Sequence, residues 1–96
     1  MNSVGVLLSG AGSNLNAMIN NGIDVKFVVS NKQHAYGLDI AEEANIPIYC
    51  WQSLTELEEQ ASKLVIQYNT KLLVLAGFMR LLSKQFVQSM PSNSII

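Results

Sequence analysis

Short apolar runs alternate with amphipathic segments along the whole chain. The apolar, β-branched runs predict four strands, over residues 4–8, 25–29, 46–50 and 71–76. Between them, apolar residues at helical spacing predict helices from a glycine turn to about residue 21, over 37–44, from Ser53 or Thr55 to about 68, and over 81–90. Because strands that alternate with helices build βαβ units, we expect an α/β fold with an open parallel sheet and helices on both faces.

A few residues mark the expected ends of these elements. Ser53 and Glu56 have the spacing of a capping box at the start of the third helix. Pro47 predicts that the third strand lies at an edge or pairs only after the proline, and Pro91 stops the last helix. Residues 94–96, with the β-branched Ile95 and Ile96, predict the beginning of a fifth strand that the sequence cuts short.

A glycine-rich turn joins the first strand to the first helix. Gly10 and Gly12 can adopt positive φ and let a ligand approach the backbone. The N–H groups of the following helical turn favour an anion, and Ser13 and Asn14 add a hydroxyl and an amide. We therefore expect a phosphate here, although tight packing of strand on helix is an alternative reason for the glycines.

The spacing departs from the common nucleotide motifs. No lysine occurs before Lys26, so the turn is not a P-loop. Leu15 stands where the dinucleotide pattern has its third glycine, and no acidic residue ends the second strand, so NAD is disfavoured. Lys32 could meet an extra phosphate, which keeps an NADP-binding half-domain as an alternative.

A second glycine turn follows the fourth strand, at residues 77–80. Ligands of open parallel sheets lie at the carboxyl ends of the strands, where the strand order reverses. We expect strands 1 and 4 to be neighbours at that switch point. Both glycine turns would then face one crevice.

The composition is apolar and weakly charged for a small domain. Of the 96 residues, 49% are hydrophobic and only 14% are charged. A free-standing domain usually carries a more charged surface. Further chain or a partner is therefore expected to cover part of this one, and an unfinished sheet edge could also support self-association.

The charged, cysteine and histidine contents exclude several kinds of site. The formal net charge is −1 and the basic residues are scattered, which excludes a nucleic-acid surface. One cysteine and one histidine make a metal site or a Cys/His nucleophile pair improbable. The single Cys50 fits a reducing compartment, and no signal peptide or membrane-length apolar run is apparent. We expect a cytoplasmic protein without a membrane partner.

Three motifs together resemble a known family. The patterns L-S-G-x-G-S-N-L, V-V-S-N-K and L-A-G-F-M-R-x-L-S follow strands 1, 2 and 4 in this order. In order and spacing the chain resembles the phosphoribosylglycinamide formyltransferases over essentially all its residues. The resemblance implies a Rossmann-like formyltransferase fold, with residues 1–96 as its N-terminal, phosphate-binding part. It also implies transfer of a formyl group from 10-formyltetrahydrofolate to the amine of glycinamide ribonucleotide in purine biosynthesis, without a metal.

The resemblance assigns residues to both ligands. Those matching the family's phosphate turn are Gly12, Ser13 and Asn14, and those matching its pterin-binding segment are Met79, Arg80, Leu81 and Leu82. Phe86 and Val87 resemble further wall of the folate pocket. Without the family, ordinary core packing would be the preferred interpretation of Phe78, Met79, Leu81 and Leu82.

The catalytic residues of the family have no match in the chain. The resemblance places an Asn-x-His pair just after strand 5 and an Asp further along, which lies beyond Ile96. His34 follows strand 2 and matches none of them, so a solvated loop histidine is expected. The acids on the helices, Asp39, Glu42, Glu43, Glu56, Glu58 and Glu59, are interpreted as solvated charge. The 96 residues alone should then be inactive.

Other functions stay open. A non-catalytic module that binds a phosphorylated metabolite would also keep the phosphate turn without catalytic groups. A related formyltransferase could act on a different amine, because the residues that select the acceptor would mostly lie beyond Ile96.

Overall fold

The computed structural model describes residues 3–91 and 94–96. Within these ranges, strands and helices alternate as predicted. In chain order the elements are β1 (Ser3–Leu8), α1 (Ser13–Asn20), β2 (Asp24–Ser30), α2 (Tyr36–Glu43), β3 (Ile48–Cys50), α3 (Leu54–Gln67), β4 (Leu72–Leu75) and α4 (Lys84–Ser89). None of the described helices is long and apolar enough to cross a membrane.

The sheet is parallel throughout, with the order β3-β2-β1-β4. From β1 the chain moves outward on one side through β2 and β3, and then returns to place β4 on the other side. The order therefore reverses between β1 and β4, which confirms the predicted switch point. Beyond β4, Ile95 pairs in parallel with Leu73, where the sequence predicts the beginning of a further strand.

The helices cover both faces of the sheet, as predicted. Helices α1 and α2 pack on one face, and their buried apolar side chains there are Leu15, Leu38 and Ala41. Helices α3 and α4 pack on the opposite face, and the buried helical residues there are Leu57, Ala61, Leu64 and Phe86. Between these layers β1 is almost wholly buried, as its continuous apolar run requires.

Most element ends follow the predicted signals. The Ser53 side chain, rather than that of Thr55, accepts the Glu56 N–H and caps α3. Strand β3 lies at one edge of the described sheet and begins after Pro47. Asn45 and Asn69, which follow the ends of α2 and α3, both adopt positive φ.

The predicted helix over residues 81–90 is wrong at its start. Helix α4 begins at Lys84, because Ser83 is extended and its hydroxyl caps the helix by accepting the Phe86 N–H at 3.1 Å. Residues 79–82 therefore form an irregular segment between β4 and α4. The apolar side chains there have the spacing of a helical stripe, although the segment is not a helix.

Candidate functional site

The two glycine turns lie side by side at the carboxyl ends of β1 and β4. The backbone N–H of Ser9 donates to the Gly77 carbonyl at 3.2 Å, and that of Ala76 donates to the Leu7 carbonyl at 2.9 Å. The two turns are therefore neighbours, as predicted, and the crevice that both would face stays a prediction. We call residues 10–14 the phosphate turn and residues 79–82 the folate segment, after the ligands that the sequence predicts for them.

The phosphate turn leads into a helix whose N-terminus lacks a side-chain cap. Gly12 is the N-cap residue, with a φ of 79°, and no described side chain accepts from the first turn of α1. That turn contains no acidic residue, and Ser13 and Asn14 are exposed. In contrast, serine hydroxyls cap α3 and α4. The first N–H groups of α1 are thus available to an anion, which the helix dipole favours.

Gly12 also allows close packing between neighbouring elements, which the sequence analysis gave as an alternative reason for the glycines. A Cβ on Gly12 would lie 2.6 Å from the Cα of Gly37 on α2, so only a glycine fits. The Gly37 N–H donates to the Gly10 carbonyl at 3.1 Å and braces the turn against α2. Sequence reasoning missed Gly37, because a glycine in the first turn of a helix has no distinctive pattern.

Gly10 differs from the prediction. It lacks a positive φ, and a Cβ built on it would meet no described atom within 4 Å. Its backbone therefore tolerates a side chain, whereas Gly12 needs both the left-handed conformation and the space. The positive φ that the sequence assigned to both glycines belongs only to Gly12.

A cleft of about 520 Å³ opens beside the phosphate turn, between the carboxyl ends of β1 and β2. Its lining includes Gly10 and Ala11 of the turn, and Lys32 and His34 of the loop after β2. His34 is exposed, as the prediction of a solvated loop histidine requires. Lys32 places a positive charge on this wall of the cleft.

The folate segment presents apolar side chains to the surface. Met79 is 73% exposed and Leu81 is 91% exposed, so core packing is the wrong interpretation for both. It is right for Phe78 and Leu82, which pack against the core on the α3 side. Exposed apolar side chains next to a crevice are typical of a surface that a ligand or further chain covers.

The other residues assigned to the folate pocket also divide into exposed and buried side chains. Arg80 is exposed. Phe86 is 5% exposed and belongs to the core, so it offers little surface to a ligand, whereas Val87 is 47% exposed. The exposure of these two side chains does not show whether they line a folate pocket, so that assignment stays a prediction.

Two side chains that sequence reasoning missed hold the folate segment. Ser9 is buried, and its hydroxyl accepts the Met79 N–H at 2.8 Å. Glu58 on α3 accepts both the N–H and the hydroxyl of Ser83, at 2.6 and 2.7 Å. The interpretation of Glu58 as solvated charge is therefore wrong, because its carboxylate is partly buried against the start of α4.

Two groups near β3 have perturbed acidity. Burial raises the pKa of the Cys50 thiol, so the thiol stays protonated near neutral pH. The hydrogen bond between the hydroxyls of Tyr49 and Tyr68, at 2.8 Å, is the main cause that raises the pKa of Tyr49. Both shifts favour the neutral form and supply no nucleophile. Among the described residues, no group of three or more His, Cys, Asp or Glu side chains could hold a metal ion.

Comparison with known proteins agrees with this architecture. A sequence model of the formyl transferase family matches residues 2–96. The chain is 40% identical to phosphoribosylglycinamide formyltransferase of Escherichia coli, over 85% of the chain and 44% of that protein. It is 38% identical to the human trifunctional purine biosynthetic protein adenosine-3, over 88% of the chain and 10% of that protein.

Solved structures show the same fold. The phosphoribosylglycinamide formyltransferase of Coxiella burnetii superimposes with a TM-score of 0.85 at 39% identity, over 98% of this chain and 49% of that one. The enzyme of Anaplasma phagocytophilum gives 0.87 at 34% identity, over 98% and 47%. The chain thus spans about half the length of the single-function relatives that it matches. The family match over nearly all of its residues shows that the chain belongs to the formyl transferase family.

Proposed function

We propose that the chain supplies part of the active site of a phosphoribosylglycinamide formyltransferase. In this reaction the amine of glycinamide ribonucleotide bonds to the formyl carbon of 10-formyltetrahydrofolate. The folate nitrogen leaves, and a proton passes from the amine to the folate. The reaction belongs to purine biosynthesis in the cytoplasm, and it needs one site for a phosphate ester and an adjacent site for a folate.

One observation carries the proposal: the uncapped N-terminus of α1 and the exposed apolar folate segment follow adjacent strands at the switch point of the sheet. Gly12, Ser13 and Asn14 would hold the phosphate of the ribonucleotide, through backbone N–H groups and two short polar side chains. The exposed side chains of the folate segment would cover one side of the pterin. The two ligands would then lie against adjacent strand ends, which brings the amine and the formyl group together.

The groups that move protons would come from further chain. The described part contains one histidine, His34, which is exposed on the loop after β2, and among the described residues no carboxylate forms an ion pair with it. An oxyanion donor and a proton carrier need an orienting partner to be catalytic. We therefore propose that residues 1–96 bind and position the two substrates. An Asn, a His and an Asp outside these residues would catalyse the formyl transfer.

Formyl transfer by the full-length protein tests the proposal. Tetrahydrofolate release should require both 10-formyltetrahydrofolate and glycinamide ribonucleotide, and the riboside without its phosphate should be a poor acceptor. Asn14→Ala should raise KM for the ribonucleotide about tenfold or more, because a hydrogen bond to a charged group contributes about 1.5–3 kcal/mol.

The matched control is Asn20→Ala, at the other end of the same helix and also exposed. It should leave KM unchanged. Equal use of the riboside and the ribonucleotide would contradict the phosphate assignment. Tight binding of both ligands without turnover would favour the non-catalytic module instead.

A further inference from the structure

The folate segment is ordered without being part of a helix or strand. Its four residues join β4 to α4, and two of their side chains, Met79 and Leu81, are largely exposed. A segment of this kind would lose conformational freedom on binding a ligand, and that loss weakens binding unless the segment is already held. The contacts at its two ends therefore decide how well it is prepared for a ligand.

Ser9 holds the first end. It directly follows β1 and is only 2% exposed. Its hydroxyl accepts the Met79 N–H at 2.8 Å and donates to the Asn31 Oδ1 at 2.5 Å, while its own N–H donates to the Gly77 carbonyl. One side chain thus joins the carboxyl ends of β1, β2 and β4, one residue before the phosphate turn begins.

Glu58 holds the second end. Its two carboxylate oxygens accept separately from the N–H and the hydroxyl of Ser83, the residue directly after the folate segment. The Ser83 oxygen in turn accepts the Phe86 N–H at the start of α4. Hydrogen bonds to an ionised acceptor are stronger than neutral ones, so this contact fixes the exit of the segment against α3.

We propose that Ser9 and Glu58 are positioning residues for folate binding, holding the folate segment from its two ends. The proposal rests on the proposed function, because it takes the folate as the ligand of this segment. Neither side chain needs to contact the folate. Ser9 additionally ties the folate segment to the phosphate turn, so its loss should disturb both ligands, whereas loss of Glu58 should disturb the folate alone.

Two variants of the full-length protein, each with a matched control, test this inference. Ser9→Ala and Glu58→Ala remove the two contacts. Ser94→Ala is the control for Ser9, since Ser94 is also buried and its hydroxyl donates to the Pro91 carbonyl, away from both turns. Glu59→Ala is the control for Glu58, since it lies next to it on α3 but makes only an exposed ion pair with Lys63.

Calorimetric titration with tetrahydrofolate and with glycinamide ribonucleotide separates positioning from stability. We expect both test variants to bind tetrahydrofolate at least about tenfold more weakly, because Ser9→Ala removes the hydrogen bond to Met79 and Glu58→Ala removes both hydrogen bonds to Ser83. Glu58→Ala should leave the Kd of the ribonucleotide within twofold. Amide hydrogen exchange should become faster at Met79 in Ser9→Ala and at Ser83 in Glu58→Ala. Ser9→Thr, which keeps the hydroxyl, should restore tetrahydrofolate binding.

The outcomes are distinguishable. If the unmodified protein binds tetrahydrofolate and the test variants bind it equally well, the inference is overturned while the proposed function stands. If Ser94→Ala, destabilised to the same extent, loses the same affinity, the effect is one of stability and the inference is again overturned. If the unmodified protein does not bind tetrahydrofolate, the proposed function and the inference both fail.

Discussion

Gly12 has two physical roles in the phosphate turn. Its positive φ turns the chain from β1 into α1, and its missing side chain lets α2 approach at Gly37. The sequence predicts the first role from the order strand, glycine, helix. It cannot predict the second, because Gly37 is 25 residues away and only the folded chain brings the two together.

Gly12→Ala should destabilise the protein by about 2–5 kcal/mol. A left-handed alanine costs about 1–2 kcal/mol and the clash with the Gly37 backbone adds about 1–3 kcal/mol. Gly10→Ala is the control, since Gly10 has neither constraint. Chemical denaturation measures both free energies of unfolding, and a similar loss in the two variants would contradict the assignment.

Cys50 should react slowly while the protein is folded. Burial raises the pKa of its thiol, so less thiolate is present at a given pH than in the unfolded chain. The folded state holds this proton more tightly, so the thiol's contribution to stability is present below the unfolded pKa and is lost as pH rises through the folded one. Alkylation by iodoacetamide as a function of pH should show a higher midpoint in buffer than in urea. Coincident midpoints would contradict the shift.

Ser9 and Glu58 show which residues the sequence cannot assign. Their partners Met79 and Ser83 lie 70 and 25 residues away along the chain. Serine after a strand and glutamate on a helix are both ordinary surface residues in a linear pattern. Only the order of the strands and the packing of α3 on the sheet make them contacts of the folate segment.

Local signals determine the helices and strands more reliably than the irregular segments. Pro47, Ser53, Asn45 and Asn69 each end or begin an element where the sequence predicts. The start of α4 was predicted wrongly because Leu81 and Leu82 extend an apolar stripe of helical spacing. Those residues instead belong to an exposed or half-buried segment, and the Ser83 cap starts the helix later.

Ser53→Ala should lower the free energy of unfolding by about 1 kcal/mol, the usual loss when a capping oxygen is removed. The Ser53 hydroxyl accepts the Glu56 N–H at 3.4 Å, which is a long hydrogen bond. The loss of stability should therefore not reach the upper end of the range known for capping residues. Thr55→Ala is the control, because Thr55 was the alternative cap and does not act as one. A larger loss in Thr55→Ala would show that α3 begins later.

The order of the strands is the property of the whole molecule that made the site predictable. Parallel βαβ units and a reversal between β1 and β4 follow from the alternation of elements and from the two glycine turns. The phosphate turn and the folate segment therefore follow adjacent strand ends, as predicted, and the crevice between them stays a prediction. The cleft beside the loop after β2 was not predicted, since its walls come from side chains on an irregular segment.

The most direct test of the account is to locate the two ligands on the full-length protein by amide chemical-shift mapping. Glycinamide ribonucleotide should perturb the N–H signals of Gly12, Ser13 and Asn14, and tetrahydrofolate those of residues 79–82. Added together, the ligands should perturb both sets, since the sites are adjacent and separate. Shifts confined to the groove between α1 and α2, near Ile19 and Ile40, would contradict the central claim that the switch point binds both substrates.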